Sequence, residues 1–274
     1  MTEQEYNAAE GIRRSDLWVM NDSPEKFKYR LDNPEETSAP ALIFGAAAHK
    51  YILEEKDFFN EYAVAPEVDR RTKAGKEAWE AFTAENEGKT VISSADFELI
   101  QAMAEALKKH NLANELIYGP GQTETPIFWT DPETGEKCKA KCDRIVQDDE
   151  GRYIVIDYKT TQNAQTENFN RSVIMHGYHV QAAMYTEGVQ IAEKLEQRPR
   201  FLFVAQEKKA PYAVNVIEVS YDVMNFGDGY YHDLLQKYHE CKEMDTWPGY
   251  NGLDAEINQT SLPKWAMNEA EEDE

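Results

Sequence analysis

The chain has 274 residues, of which 41% are hydrophobic and 11% aromatic, and its formal net charge is −22. This length suits one large or two small domains, and the hydrophobic content excludes a wholly disordered chain. The negative charge argues against a general affinity for nucleic acid, because phosphate binding depends on basic side chains. The polar N-terminus, the three cysteines and the lack of a long apolar run favour the cytoplasm over secretion or a membrane.

The N-terminal part, about residues 1–118, is predicted to be mainly helical. Ser15 and Ser23 look like helix N-caps, and Pro24 suits a first helical position. Residues 41–56 have apolar side chains at spacings of three and four, which predicts a helix that carries His49. Gly45 lies one turn earlier on the same face, where the missing side chain would let another backbone approach closely.

A basic segment follows this helix. Residues 66–76 look like a loop and are followed by predicted helices at 76–86 and 93–111. The segment carries four basic residues: Arg70, Arg71, Lys73 and Lys76. They could clamp the DNA backbone or a 5′-phosphate, or they could be a solvated loop that nearby glutamates balance. The sequence leaves both interpretations open.

The middle of the chain changes to a period of two. Strands are predicted at 123–130, 137–147 and 152–159, and the turns DPETGE and DDEG between them predict a three-stranded meander. A long helix at 172–195, strands at 200–206 and 213–219, and a last helix at 221–244 follow. We expect a single α/β domain with a helical part (about 1–118), a sheet core (119–220) and a C-terminal helix with an acidic tail (221–274).

The predicted meander brings chemically useful side chains together. Residues two apart share a face of a strand, so Asp157 and Lys159 point the same way, while Ile154, Ile156 and Tyr158 point toward a core. Asp143 on the preceding strand shares a face with Lys141, and the tight turn at 148–151 could set it beside Asp157. Two adjacent carboxylates repel each other unless a cation lies between them, and oxygen ligands suit Mg²⁺ or Mn²⁺.

Together with a divalent ion, Asp143, Asp157 and Lys159 could catalyse phosphodiester cleavage. Divalent ions polarise a phosphoryl group and lower the pKa of water, and a lysine ammonium offsets developing charge. A D-x-K pattern is nevertheless common on solvated strands, where it makes a local ion pair of little energetic value. Its position after a hairpin that carries another aspartate, and before a long helix, favours the catalytic interpretation.

Five blocks of sequence, in order, carry a resemblance to a known family. They are the opening segment with Ser15, Asp16, Leu17, Ser23, Pro24 and Phe27, then GAAAH at 45–49, KCD at 141–143, DYKTT at 157–161, and QAAMY at 181–185. Together they resemble the RecB-like branch of the PD-(D/E)XK nucleases, and within it the nuclease domain of RecE, the exonuclease VIII of prophages. The resemblance implies a restriction-endonuclease-like α/β core with a mixed sheet flanked by helices.

The resemblance also implies roles for individual residues. The metal ligands would be His49, Asp143, Asp157 and the carbonyl of Tyr158, with Glu124 as an additional acid. The catalytic set would be Asp143, Asp157 and Lys159, with Gln181 and Tyr185 lining the site and contacting the substrate strand. One departure is Cys142, which stands where the family has the proline that names its motif.

The function that the resemblance implies is a metal-dependent exonuclease. It would use two Mg²⁺ or Mn²⁺ ions, digest linear double-stranded DNA from the 5′ end, and leave 3′ single strands for a single-strand annealing recombinase. A ring-shaped homo-oligomer in a bacterial cell, of phage or prophage origin, is also implied. Relatives that hold an iron–sulfur cluster use four cysteines, so the three cysteines here predict none.

Two alternatives stay open at this stage. The first is a nuclease of the same fold that acts on single-stranded or flap DNA. The second is a non-catalytic acidic protein that mimics DNA or docks on a repair complex, which the net charge of −22 suggests. Such a protein would have scattered carboxylates and no metal site.

Overall fold

The computed structural model of the protein describes residues 1–33, 39–253 and 257–261, so the predicted acidic tail lies largely outside the described residues. The helices are α1 (Glu3–Ala8), α2 (Arg14–Asp22), α3 (Pro24–Asp32), α4 (Pro40–Leu53), α5 (Phe58–Glu61), α6 (Lys73–Glu85), α7 (Ser94–Lys109), α8 (Asn111–Tyr118), α9 (Thr166–Met175), α10 (Tyr178–Ala192) and α11 (Tyr221–Glu243). The strands are β1 (Tyr62–Val64), β2 (Thr90–Ile92), β3 (Gln122–Thr130), β4 (Lys137–Gln147), β5 (Tyr153–Thr161), β6 (Arg200–Glu207) and β7 (Val214–Glu218).

The larger sheet has five strands in the order β3-β4-β5-β6-β7. β3, β4 and β5 pair antiparallel, which confirms the predicted meander, and β6 and β7 also pair antiparallel. β5 and β6 run parallel, and the crossover between them contains α9 and α10. β1 and β2 form a separate parallel pair. The molecule is therefore the expected mixed sheet flanked by helices.

Both faces of the sheet are buried. On β5, Val155 belongs to one core cluster, together with residues of α10 and α11. Ile154, Ile156 and Tyr158 belong to a second cluster with residues of α4, α7 and α8. The alternation of side chains along the strand separates these two sets, as the period of two predicts. Asp157 and Lys159 thus project from a strand that packed helices hold on both sides.

Several local predictions are wrong. Ser15 is not an N-cap, because α2 already begins at Arg14 and the N–H of Arg13 donates to Asp16, whereas Ser23 does cap α3. Lys73 and Lys76 are not in a loop, because Thr72 caps α6 and the helix begins at Lys73.

The predicted helix over 172–195 is also wrong, since two helices replace it. α9 ends at Met175, and Gly177 has a φ of 66° just before α10. A Cβ at Gly177 would lie 2.4 Å from the ring of Trp18, so α2 packs directly against this break. In the described part of the chain, no helix is both long and apolar enough to cross a bilayer.

Candidate active site

The site forms where β3, β4 and β5 diverge from regular pairing. β3 pairs with β4 through Thr123↔Arg144 and Thr125↔Cys142, which leaves Glu124 opposite Asp143. Glu124 has a φ of +48°, so the strand is distorted at this residue. The last residue pair between β4 and β5 is Arg144↔Ile156. Immediately beyond this pair, Asp143 on β4 and Asp157 on β5 face each other. The Oδ2 atom of Asp143 accepts a hydrogen bond from the backbone N–H of Tyr158 at 2.8 Å. This bond fixes the carboxylate against β5.

His49 closes the site from α4. Its Nε2 lies 2.8 Å from Asp143 Oδ2, and its Nδ1 lies 3.4 Å from Glu124 Oε1. Burial of the imidazole opposes protonation, but the negative charges of Asp143, Glu124 and Asp157 outweigh it and raise the pKa of His49 to about 9. Ligand atoms of His49, Glu124 and Asp143 lie within 4.8 Å of one another, so the three could hold one metal ion.

One oxygen of Glu124 makes no hydrogen bond within the described part of the chain, although it lies 3.4 Å from His49 Nδ1. Its Oε2 lies 2.6 Å from Lys141 Nζ, while Oε1 is buried and has no hydrogen-bond partner among the described residues. Burial, with the charge of Asp143, raises the pKa of Glu124, although His49 and Lys141 act in the opposite direction. A buried oxygen without a donor is costly unless something binds it.

Asp157 and Lys159 form the second half of the site. Lys159 Nζ lies 2.5 Å from Asp157 Oδ2 and 4.9 Å from the ring centroid of Tyr178. The other oxygen of Asp157 accepts a hydrogen bond from the side-chain amide of Gln181 on α10. Gln181 Oε1 in turn accepts a bond from Arg14 at 3.2 Å. The carboxylate is thereby held through both of its oxygens.

The two aspartates have opposite electrostatic environments. Burial disfavours ionisation of Asp143, but His49, Lys159 and the Tyr158 N–H hold its pKa below the ordinary value. Burial, together with the charge of Asp143, raises the pKa of Asp157 against the effect of Lys159. Pairs of acids with pKa values pushed apart are typical of active sites, because each can then take a different protonation state.

Three adjoining clefts form a groove past these residues. A cleft of about 890 Å³ is lined by His49, Glu124 and Lys141 on one side of the site. A cleft of about 270 Å³ at the centre is lined by Gly45, His49, Lys159 and Tyr178. A third, of about 350 Å³, runs past Tyr178 to Lys208. Neighbouring clefts share lining residues, so together they form one groove past His49, Glu124 and Lys159.

Comparison with known proteins identifies the family. The model of the PDDEXK-like domain of unknown function DUF3799 matches residues 15–260, which is most of the chain. The chain belongs to this family. Asp143 on β4 and Asp157 and Lys159 on β5, which the sequence resemblance suggested, lie within the matched range.

One solved structure is similar to this chain over its whole fold. The crystal structure of a "Putative exonuclease" from Eubacterium rectale is similar to this PDDEXK-like domain with a TM-score of 0.62, at 13% identity and with 97% of each chain covered. The crystal structure of SSO0001 matches with a TM-score of 0.30, at 16% identity, over 80% of this chain and 84% of that one. No curated protein matches the sequence.

Some residues predicted for the site lie elsewhere in this PDDEXK-like domain. Arg71 pairs with Asp69 at 2.9 Å, Arg70 stacks on Trp79 at 4.1 Å, and Lys73 lies 3.7 Å from Glu77. Lys76 belongs to the same first turns of α6. None of the four lines the groove as far as the described residues define it. Their local partners favour the solvated interpretation, and DNA binding by them stays a prediction.

The structure brings only some of the other predicted site residues into contact with the site. Gln181 contacts Asp157, but Tyr185, one turn later, packs against the core cluster on that face of the sheet. Burial raises the pKa of Tyr185 well above its usual value, and the charge of Asp157 adds to this effect. Tyr158 contributes its N–H to Asp143, and its hydroxyl donates to Gln206 at 2.7 Å. A ligand role for its carbonyl stays a prediction.

The sequence did not reveal Arg14. Besides Gln181, its guanidinium donates to the carbonyl of His176 at 3.1 Å and lies 6.0 Å from the ring centroid of Tyr178. More than 160 residues separate it from these partners in the chain, so no spacing rule links them. Its place beside Ser15, in an opening block of the resemblance, was the only signal available.

Proposed function

We propose that this PDDEXK-like domain is a divalent-metal-dependent DNA exonuclease. The observation that carries the proposal is the convergence of His49, Glu124 and Asp143 beside the paired Asp157 and Lys159, at the wall of a groove that His49, Glu124 and Lys159 line. A non-catalytic DNA mimic would instead have scattered carboxylates, and a solvated D-x-K pair would not be buried. Asp157 is only 2% exposed.

The residues fit a hard divalent ion. Glu124, Asp143 and Asp157 offer carboxylate oxygens, and the buried Oε1 of Glu124 has no hydrogen-bond donor in the described chain. Oxygen-rich sites suit Mg²⁺ or Mn²⁺, and Mn²⁺ also accepts the imidazole of His49. When bound, the metal would polarise the scissile phosphate and lower the pKa of water. We propose two ions, one between His49, Glu124 and Asp143 and the other nearer Asp157.

The protein side chains would then act on the substrate as follows. The Lys159 ammonium lies at the wall of the groove and is partly exposed, so it can donate to a phosphate oxygen as negative charge grows there. The Gln181 amide holds Asp157 in one orientation, and Arg14 holds Gln181. Fixed donors of this kind need no reorganisation during the reaction.

The shape and charge of the groove support a nucleic-acid strand as the substrate. Its arm beyond Tyr178 is lined by Thr160, Asn163, His176 and Lys208, which can bind phosphates without net repulsion. The opposite arm is lined by four acids, Glu54, Asp57, Glu61 and Glu124, against the two lysines Lys50 and Lys141, so its excess of negative charge would repel a backbone. We therefore place the bound strand on the Lys208 side of Lys159.

The proposed substrate, direction of digestion and partner rest on the resemblance to RecE. The exonuclease activity rests also on the name of the Eubacterium rectale protein, a "Putative exonuclease". We propose digestion of linear double-stranded DNA in the 5′ to 3′ direction, with the 3′ strand passed to a single-strand annealing recombinase. A homo-oligomeric ring around the duplex would reconcile the charge of −22 with DNA binding, because only its lining needs to be basic. A nuclease acting on single-stranded or flap DNA is the alternative.

The test is cleavage of linear duplex DNA with Mg²⁺ by the parent and by Asp157→Asn and Lys159→Met. We expect each variant to lose at least about 100-fold in rate. Lys137→Ala is the matched control, because Lys137 is on the same sheet but pairs with Glu10 away from the groove. Cleavage by both site variants at the parent rate would refute the proposal.

Substrates in the same assay separate the alternatives. Duplexes labelled at the 5′ or 3′ end report direction by the order in which the label is released. A covalently closed circular duplex should survive if an end is required. Preference for single-stranded circles or flaps over linear duplex would favour the alternative nuclease.

A further inference from the structure

A second group of potential ligands lies outside the groove. It consists of Asp131 in the turn after β3, Glu187 on α10 and His232 on α11, and their ligand atoms lie within 4.8 Å of one another. His232 Nε2 is 3.1 Å from Glu187 Oε2. Glu187 follows Gln181 by six residues on α10, which places it about 9 Å along the helix from the candidate active site. The group therefore forms a separate cluster.

Close packing brings this cluster together. Gly188 follows Glu187, and a Cβ on it would lie 2.6 Å from the ring of Trp129, so glycine allows α10 to approach β3. Asp131 comes two residues after Trp129, at the end of the strand. Its Oδ1 accepts bonds from the backbone N–H and the hydroxyl of Thr134, both at 2.7 Å, which fix the orientation of the carboxylate.

The remaining oxygens of the cluster lack donors. Asp131 is 1% exposed, and its Oδ2 is buried with no hydrogen-bond partner within the described ranges. The same holds for Glu187 Oε1. Two buried carboxylate oxygens that receive no N–H or O–H are costly, because the protein has removed their water without replacing it.

Asp131 differs from the other buried acids in the ion pairs that it makes. Of the buried carboxylates that the structure describes, Asp143 pairs with His49, Asp157 with Lys159, and Glu136 with His239 and Lys242. The ion pairs found within the described residues give Asp131 no such partner, and His232 is a base that lies beside both it and Glu187. A single imidazole cannot balance two carboxylates, so the cluster carries excess negative charge.

We propose that Asp131, Glu187 and His232 form a second metal site, for a first-row divalent ion such as Zn²⁺. One nitrogen and two or three oxygens suit zinc and its neighbours better than magnesium, which prefers oxygen alone. In a tetrahedral site with bonds of about 2.1 Å, ligand atoms lie about 3.4 Å apart, close to the 3.1 Å between His232 and Glu187. Small side-chain movements would close the wider contacts.

The site would act as a clamp. A bound ion would join the turn after β3 to α10 and α11, and α10 carries the Gln181 that holds Asp157. Because an ion that binds only the folded chain stabilises it, Zn²⁺ should raise the unfolding temperature. This inference does not depend on the proposed nuclease activity.

The test measures Zn²⁺ binding by the full chain after chelator treatment, by equilibrium dialysis and metal analysis. The background is His49→Gln with Asp143→Asn, which removes ligands from the candidate active site. We expect this background to bind a single Zn²⁺ ion, and His232→Gln added to it to weaken binding by more than roughly 100-fold. Binding that is absent from the background, or unchanged by His232→Gln, would overturn the proposal.

His239→Gln is the matched control. His239 is on the same helix α11 and also faces a carboxylate, but its partner Glu136 already has Lys242. It should leave Zn²⁺ binding unchanged. Unfolding temperature is the second measurement, since Zn²⁺ should raise it for the background and for His239→Gln but not for His232→Gln or Glu187→Gln. An equal rise in all four proteins would also refute the site.

Discussion

Gly45 offers a substitution that should separate stability from activity. It lies inside α4, one turn before His49, and it lines the central cleft with Lys159 and Tyr178. A Cβ there would meet no atom within 4 Å, so no clash opposes alanine, and the expected close approach of another backbone does not occur. Glycine inside a helix costs about 0.8–1.0 kcal/mol relative to alanine. We expect Gly45→Ala to raise the free energy of unfolding by about that amount.

The same methyl group would project into the groove that we assign to the DNA strand. A displacement of reacting groups by about 1 Å can cost roughly 100-fold in rate, so we expect cleavage to fall by about 10-fold or more. Urea unfolding and steady-state cleavage of linear duplex measure the two effects. Gly229→Ala is the matched control, because Gly229 is exposed inside α11 and its Cβ would also meet nothing within 4 Å.

The control should gain similar stability and cleave at the parent rate. If Gly45→Ala destabilises the protein, the packing around α4 is misjudged. If it stabilises the protein and cleaves as fast as the parent, the substrate does not pass over Gly45.

Three further predictions follow from the structure. Gly177→Ala should lower the free energy of unfolding by about 2–4 kcal/mol, because the residue has a φ of 66° and its Cβ would meet Trp18; an unchanged midpoint in urea would contradict this contact. Arg14→Gln should slow cleavage with little loss of stability, because Arg14 acts through Gln181 on a partly exposed surface; a parent rate in single-turnover cleavage would exclude that role. Glu136→Gln should cost about 1–3 kcal/mol at neutral pH. Burial opposes ionisation of Glu136, but Lys242 and His239 hold its pKa below the usual value, so the stabilisation is present above the carboxyl's ordinary pKa and is lost as pH falls through the folded value. Unfolding curves of parent and variant should therefore converge in acid, and a difference that does not change with pH would refute the assignment.

The features that the sequence predicted are those that local rules determine. The turns DPETGE and DDEG, with alternating side chains between them, specified the meander, and the period of two put Asp157 and Lys159 on one face. Residues four apart on a helix placed His49 on an apolar stripe of α4, but only the family resemblance suggested that it meets Asp143. The contact joins residues far apart in sequence, and local spacing carries no information on such pairs.

The failures have the same origin. Glu124 was suggested by the family resemblance alone, because it lies in the site through a strand distortion opposite Asp143 and a glutamate at positive φ has no local signature. The break at Gly177 depends on the packing of Trp18, since the apolar period continues through it and predicts one helix. Arg14 reaches the site only after α2 packs against α10. Each of these features depends on tertiary contacts that override the local pattern.

The most direct test of the central claim is a crystal structure of the protein with Mn²⁺ and a short 5′-phosphorylated duplex, using anomalous scattering to locate the metal. The account predicts an anomalous peak among the side chains of His49, Glu124 and Asp143, with a phosphate of the duplex next to it and Lys159 in contact with that phosphate. Saturating Mn²⁺ with no peak at this cluster, or DNA bound away from Lys159, would contradict it.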